Sequence, residues 1–194
     1  MIYCNLAGLM ANKKVNISDV SKSTGISRTT LTGLYYNKFK GVQLDTANEL
    51  CKFFNVNLDK LFMFCKYDIS VESIDYTPTD IQESFEWQNS KDGSAVVSLS
   101  IVSGNVHRNC DICAILYFHF DVSSASIEID LGFFEPNGDE EDRENDALLR
   151  KVFESLSDEF KTYVINMICD EIFSYYSEQL PPEVDWDMSV STDF

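Results

Sequence analysis

The chain has 194 residues, with 15 lysines and arginines against 32 acids and a formal net charge of −17. That length admits one large domain or two small ones, and such acidity normally makes a poor partner for nucleic acid. No apolar run reaches 18 residues, so no transmembrane helix is expected.

The charge is unevenly placed. Residues 1–66 hold nine lysines and arginines against four acids, a balance of +5, whereas residues 67–194 hold six against 28, a balance of −22. At cellular salt, charges more than about 8–10 Å apart are largely screened, so a basic module can attract phosphates while an acidic one faces elsewhere. Three segments are expected: a helical domain over 1–66, a linker or entry segment over 67–92, and an acidic domain over 93–194 for dimerisation, sensing or partner binding. The fold class is α+β overall, an all-α five-helix unit followed by an antiparallel sheet with a long amphipathic helix or helices. Met1-Ile2-Tyr3-Cys4-Asn5 has no basic stretch leading into an apolar core, so no secretion signal is read there. The six cysteines are then expected as reduced thiols, in the cytoplasm.

Ile2, Leu6, Leu9 and Met10 recur at helical spacing and predict an opening helix over 2–13, stopped by Lys13-Lys14 and Asn16. The next stretch, Ser18 to Tyr35, reads as two short helices joined by a tight turn. Ser18 caps the first, Val20 points inward, and Gly25 supplies a left-handed corner. Ile26 plugs the joint, Ser27 caps the second helix, and Leu31 and Leu34 form its apolar edge. Arg28, Thr29 and Thr32 are left on an outer face that a DNA major groove can admit. Tyr36 to Gly41 is a polar, basic loop. A fourth helix starts at Asp45 or Thr46, buries Ala47, Leu50, Cys51 and Phe54, and ends at Asn55. Leu58 to Phe62 makes a short last helix.

Leu6 to Phe62 resembles the phage-repressor-like helix-turn-helix family, the XRE-type regulators of bacteria and their phages. The resemblance rests on Thr24-Gly25-Ile26-Ser27-Arg28-Thr29-Thr30-Leu31, on the loop after Asn37-Lys38, and on the closing run Leu50 to Phe62. It implies that Arg28, Thr29 and Thr32 face base edges, with Arg28 placed for a guanine. It also implies that Ser18 and Ser27 offer hydroxyls or helix-end amides to phosphates, and that Asn37, Lys38 and Lys40 grip the backbone. Gly33 departs from the family pattern, where a longer polar side chain is usual, and narrows the base-reading surface.

Past residue 66, Asp68 to Lys91 shows few periodicities and reads as a linker. Ser94–Val102, Asp111–Asp121 and Ser126–Leu131 predict three antiparallel strands. From Asp142 onward apolar residues recur at three and four up to Tyr176, one long helix or two meeting at Ser155-Leu156-Ser157 with Ser157 as a cap. Pro181-Pro182 ends it, and Glu183 to Phe194 reads as a loose acidic tail. The stripe Val152, Leu156, Phe160, Tyr163 and Met167 looks too long for one small sheet to cover, which suggests a homodimer.

His107, Cys110, Cys113 and His119 have metal-ligand chemistry. Cys113 and His119, however, share one strand face with Ile115 and Tyr117 in an apolar run that reads as core, so no metal is expected. No glycine-rich phosphate loop or serine-nucleophile motif appears, and neither an enzyme nor a cofactor is expected. Asp139, Glu140, Glu141 and Asp142 read as a helix start or as a surface for a basic partner. The leading function is a sequence-specific regulator, a repressor of phage or mobile-element type, bound as a homodimer to a palindromic operator in double-stranded DNA. The alternative is an anti-CRISPR-like inhibitor whose acidic domain binds a basic protein such as a nuclease while the helix-turn-helix represses its own promoter.

Overall fold

The computed structural model describes residues 1–86, 90–134 and 140–192, with the side chains of Glu140, Glu141 and Asp142 left outside the description. The chain divides into two units, Met1–Lys66 and Tyr67–Phe194.

The first unit runs β1 (Ile2–Cys4), α1 (Leu6–Lys13), α2 (Ile17–Thr24), α3 (Arg28–Tyr35), α4 (Leu44–Phe54), α5 (Leu58–Leu61) and β2 (Phe62–Phe64). Leu6, Val20, Leu31, Leu34, Leu50 and Leu61 are fully buried in one cluster. Each such aliphatic side chain contributes about 1.5–3 kcal/mol relative to exposure. The five helices are present, but the unit is not all-α: β1 pairs antiparallel with β2, Ile2 opposite Phe64 and Cys4 opposite Phe62. The opening helix therefore starts at Leu6 instead of Ile2, and the last helix stops at Leu61. Helical spacing of Ile2 is overridden by pairing, which buries Tyr3 and Cys4 and leaves Ile2 exposed. The Met1 amine donates to the Cys65 carbonyl at 2.6 Å, closing the ribbon. α1 ends at left-handed Lys14, φ 54°. Lys13 sends its ammonium to the Phe53 carbonyl at the far end of α4 and lies 4.2 Å over the Phe53 ring. α4 begins one residue before the expected Asp45, at Leu44. It ends where expected, at left-handed Asn55.

The second unit runs β3 (Asp68–Tyr76), α6 (Ile81–Glu86), β4 (Lys91–Ser103), β5 (Val106–Phe120), β6 (Ser124–Phe133), α7 (Glu140–Ser155), α8 (Asp158–Ser177) and β7 (Asp185–Thr192). One sheet takes all five strands in the order β3-β4-β5-β6-β7. The first three pairings are antiparallel, while β7 lies parallel to β6. Parallel neighbours need a long crossover, which α7 and α8 supply.

Two expectations fail here. The segment read as a linker opens with a strand: residues 68–76 form an edge of the sheet. The segment read as a loose tail forms the other edge over residues 185–192. In β3 the apolar residues Ile69, Val71, Ile74 and Tyr76 step by two, three and two. A register shift between Val71 and Ser73 absorbs the extra residue, so the alternation is broken although the strand is not.

The helices cover one face of the sheet. Leu149, Val152 and Phe153 of α7 and Phe160, Val164, Ile168, Ile172 and Tyr176 of α8 are buried. Phe118 meets Tyr176 at 4.8 Å between ring centroids, and Phe133 meets Phe153 at 5.7 Å. The two helices do meet at Ser157, whose side chain accepts from the Phe160 amide at 3.4 Å. Val152, Leu156 and Phe160 are buried within the chain, while Tyr163 and Met167, further along the same stripe, are half-buried. Cys113, Ile115, Tyr117 and His119 share a face as expected, but it is the outward face; the core takes Ile112, Ala114, Leu116 and Phe118. Among the described residues no helix is long and apolar enough to cross a membrane.

Burial pushes the thiols of Cys4 and Cys110 up from 9.0 to about 11 and that of Cys169 to about 12. A pKa raised by folding favours the neutral thiol, so the stability it carries is complete below pH 9 and is lost as pH rises toward the folded values. The urea midpoint should hold through neutral pH and fall above pH 9, and Cys169→Ala should soften that fall. A midpoint that stays flat to about pH 11 would contradict this account of the buried thiols.

Candidate nucleic-acid interface

α2 starts on a reciprocal cap. The Asn16 side chain accepts from the Asp19 amide at 3.1 Å, and the Asp19 carboxylate accepts from the Asn16 amide at 3.1 Å. This is the capping-box arrangement, and it replaces the expected cap by Ser18, which is the second residue of the helix. Ser18 keeps its place in the first turn of α2, half-buried.

The corner between α2 and α3 is fixed from several directions. Gly25 takes φ 74°, and its amide donates to the Ser21 carbonyl at 2.9 Å. The Ser21 hydroxyl donates to the Ile26 carbonyl at 2.7 Å, and the Thr24 hydroxyl to the Val20 carbonyl at 2.7 Å. A residue with a Cβ is strained at that φ, whereas glycine adopts it freely. Ser27 then caps α3 as expected, accepting from the Thr30 amide at 3.1 Å.

With Leu31 and Leu34 fully buried, α3 turns Arg28, Thr29, Thr30 and Thr32 to solvent. Arg28, Thr29 and Thr32 come together on the exposed side of one short helix, Arg28 in its first turn. Tyr36, one turn beyond Thr32 and 53% exposed, extends that row. Tyr36 was expected in the polar loop, yet its spacing of four from Thr32 places it on this side of the helix end. Thr30 is partly engaged, its hydroxyl lying 2.9 Å from that of Ser27.

α3 ends on a second left-handed corner. Asn37 takes φ 55°, its amide donates to the Leu34 carbonyl at 3.3 Å, and the Lys38 amide donates to the Gly33 carbonyl at 2.8 Å. That pair of bonds is a Schellman closure. A Cβ on Gly33 would stand 3.4 Å from the Lys38 carbonyl oxygen, in close van der Waals contact with the returning loop. The Asn37 amide group is also occupied: its oxygen accepts from the Cys4 amide at 2.7 Å, and its nitrogen donates to the Cys4 carbonyl at 3.1 Å. Asn37 thus ties α3 to β1, a structural task distinct from the phosphate grip the resemblance implies. Lys38 and Lys40 are exposed on the loop beyond it.

The acidic run is placed only in part. Asp139 lies outside the described residues; Glu140, Glu141 and Asp142 open α7, and their side chains lie outside the description. Asp146, one turn on, is committed internally, accepting from Arg150 at 2.8 Å. Arg150 also donates to the Phe134 carbonyl at 3.0 Å and lies 4.5 Å over the Phe133 ring. Among the described residues no group of three or more acids, histidines and cysteines is arranged to hold a metal.

Residues 5–65 match the family model of the Cro/C1-type helix-turn-helix DNA-binding domain. The match takes in every helix of the first unit, α1 to α5, and leaves residues 66–194 outside it. A comparison with curated proteins gave no match.

Asn37→Gly should keep the left-handed corner and lose only the link to Cys4, at about 1–3 kcal/mol for the backbone groups left unpaired. Asn37→Ala should cost more, because the corner itself is then strained by roughly 1–2 kcal/mol. Chemical denaturation of the two variants checks the order; equal costs would remove the corner from the account.

Proposed function

We propose that this chain is a sequence-specific regulator that reads double-stranded DNA through α3 and acts as a repressor of the phage or mobile-element kind. The observation that carries the reading is the exposed side of α3. Arg28 stands in the first turn of a helix fixed at both ends, with Thr29 and Thr32 beside it and small enough to let the helix approach base edges. Ser18 and Ser27 stand at the starts of α2 and α3, where hydroxyls and helix-end amides suit phosphates. Lys38 and Lys40 flank the other end and add sequence-independent attraction. The family match of residues 5–65 and the local balance of +5 point the same way.

One such module makes few phosphate contacts. Two copies on half-sites about 34–36 Å apart, one helical turn, would give a palindromic operator its affinity. Val152, Leu156 and Phe160 of the helix stripe are covered within the chain, which leaves the half-buried Tyr163 and Met167 or another surface for the dimer contact. The second unit, at −22, is repelled by DNA and serves another partner.

Arg28→Ala should weaken binding to a sequence selected from a random pool by about 1–3 kcal/mol and relax the preference at one base pair. Lys38→Ala should weaken all sequences alike and lower the salt slope by about one unit. An Arg28→Ala protein that kept both the affinity and the preferred sequence would overturn the assignment of α3.

A further inference from the structure

The second unit has a sheet face on which none of its described helices packs. Residues paired across neighbouring strands point to the same side, so the register gives that face row by row. Cys113 sits between Val96 and Gly132, Ile115 between Ser94 and Asp130, and Tyr117 between Asp92 and Glu128. An apolar strip of Val96, Cys113, Ile115 and Tyr117 therefore runs along the middle of the sheet, and Ile115 is 38% exposed.

Carboxylates surround the strip. Asp75 comes from β3, Asp111 from β5, Glu128 and Asp130 from β6, and Asp187 from β7, all on the same side by pairing. Two are held by hydroxyls: Asp111 accepts from Ser98 at 2.7 Å and Asp130 from Ser191 at 3.0 Å. The five strands contain only two basic residues other than histidine, Lys91 and Arg108. Their pairing partners, Phe118 and Ile101, belong to the opposite, core-facing rows. The face is thus apolar at its centre, acidic around it, and without a lysine or arginine among its described residues.

Charge selects the occupant. DNA carries the same sign, and a second copy would bring the same carboxylates against these, a like-charge juxtaposition that costs several kcal/mol. We propose that this open face docks a protein surface rich in arginine and lysine, one apolar side chain seated on Ile115 and a guanidinium over the Tyr117 ring. The carboxylates steer the encounter and set its salt dependence, and the central strip gives selectivity among basic surfaces. This moves the basic-partner contact expected at Asp139–Asp142 onto the sheet, and it does not depend on what α3 reads.

The test uses the full chain and two peptides of equal length and charge, one alternating arginine with valine and the other arginine with glycine. In about 0.15 M salt, the valine peptide should bind roughly tenfold more tightly and shift the amide resonances of β4, β5 and β6. Ile115→Thr, which keeps a β-branched residue on the strand, should erase the preference, while Glu128→Gln should weaken both peptides. Equal binding of the two peptides, no binding of either, or shifts gathered on α7 and α8 would overturn the proposal. Self-association of the chain that disappears in Ile115→Thr would give the face to a second copy and overturn it too.

Discussion

The reading of α3 depends on two left-handed corners. An eight-residue helix is marginal in water by itself, and α3 adds a glycine at its sixth position, which costs roughly 1 kcal/mol relative to alanine. It is ordered because the chain is fixed on either side of it. Gly25 turns the backbone at φ 74° before it, Asn37 at φ 55° after it, and Leu31 and Leu34 are held in the core between them. The hydroxyls of Ser21 and Thr24 fix the first corner, and the Asn37 amide fixes the second to β1. The packing of α3 rests on Leu31 and Leu34, and its exposed side is small and polar.

The second unit solves a different problem with a different period. Alternation sends one row of each strand under α7 and α8 and the other row outward. The inner rows are Val97, Leu99, Ile112, Leu116, Ile127 and Ile129, all fully buried. The outer rows carry serines, acids and the strip around Ile115. The strand parity that builds the core therefore also gathers the acids into one surface.

Much of this was legible in the residues. Gly25, Ser27 and Ser157 announced their roles because turn and cap chemistry is local, and the strong periodicity after Asp142 gave one long helix or two with a junction at Ser155–Ser157, of which the chain forms two. What was hidden required distant groups. β1 looked helical because Ile2 and Leu6 share a spacing, and only pairing with Phe62–Phe64 makes it a strand. Asn16 took the cap from Ser18 because Asp19 answers it. β3 was masked by its bulge, and β7 by its acids, although Trp186, Met188 and Val190 alternate. Cys113 and Ile115 read as core because an apolar run does not say which of its two faces is covered. At the candidate interface, Arg28, Thr29 and Thr32 follow from helix spacing alone, whereas the tie between Asn37 and Cys4 joins residues 33 positions apart.

The most direct measurement is amide hydrogen exchange of the full chain, with and without a duplex selected from a random pool. The account predicts added protection at the start of α2, along α3 and through Lys38–Lys40, with Asp68–Thr192 unchanged. Protection gained on the sheet or on α7 and α8, with α3 unaltered, would contradict it.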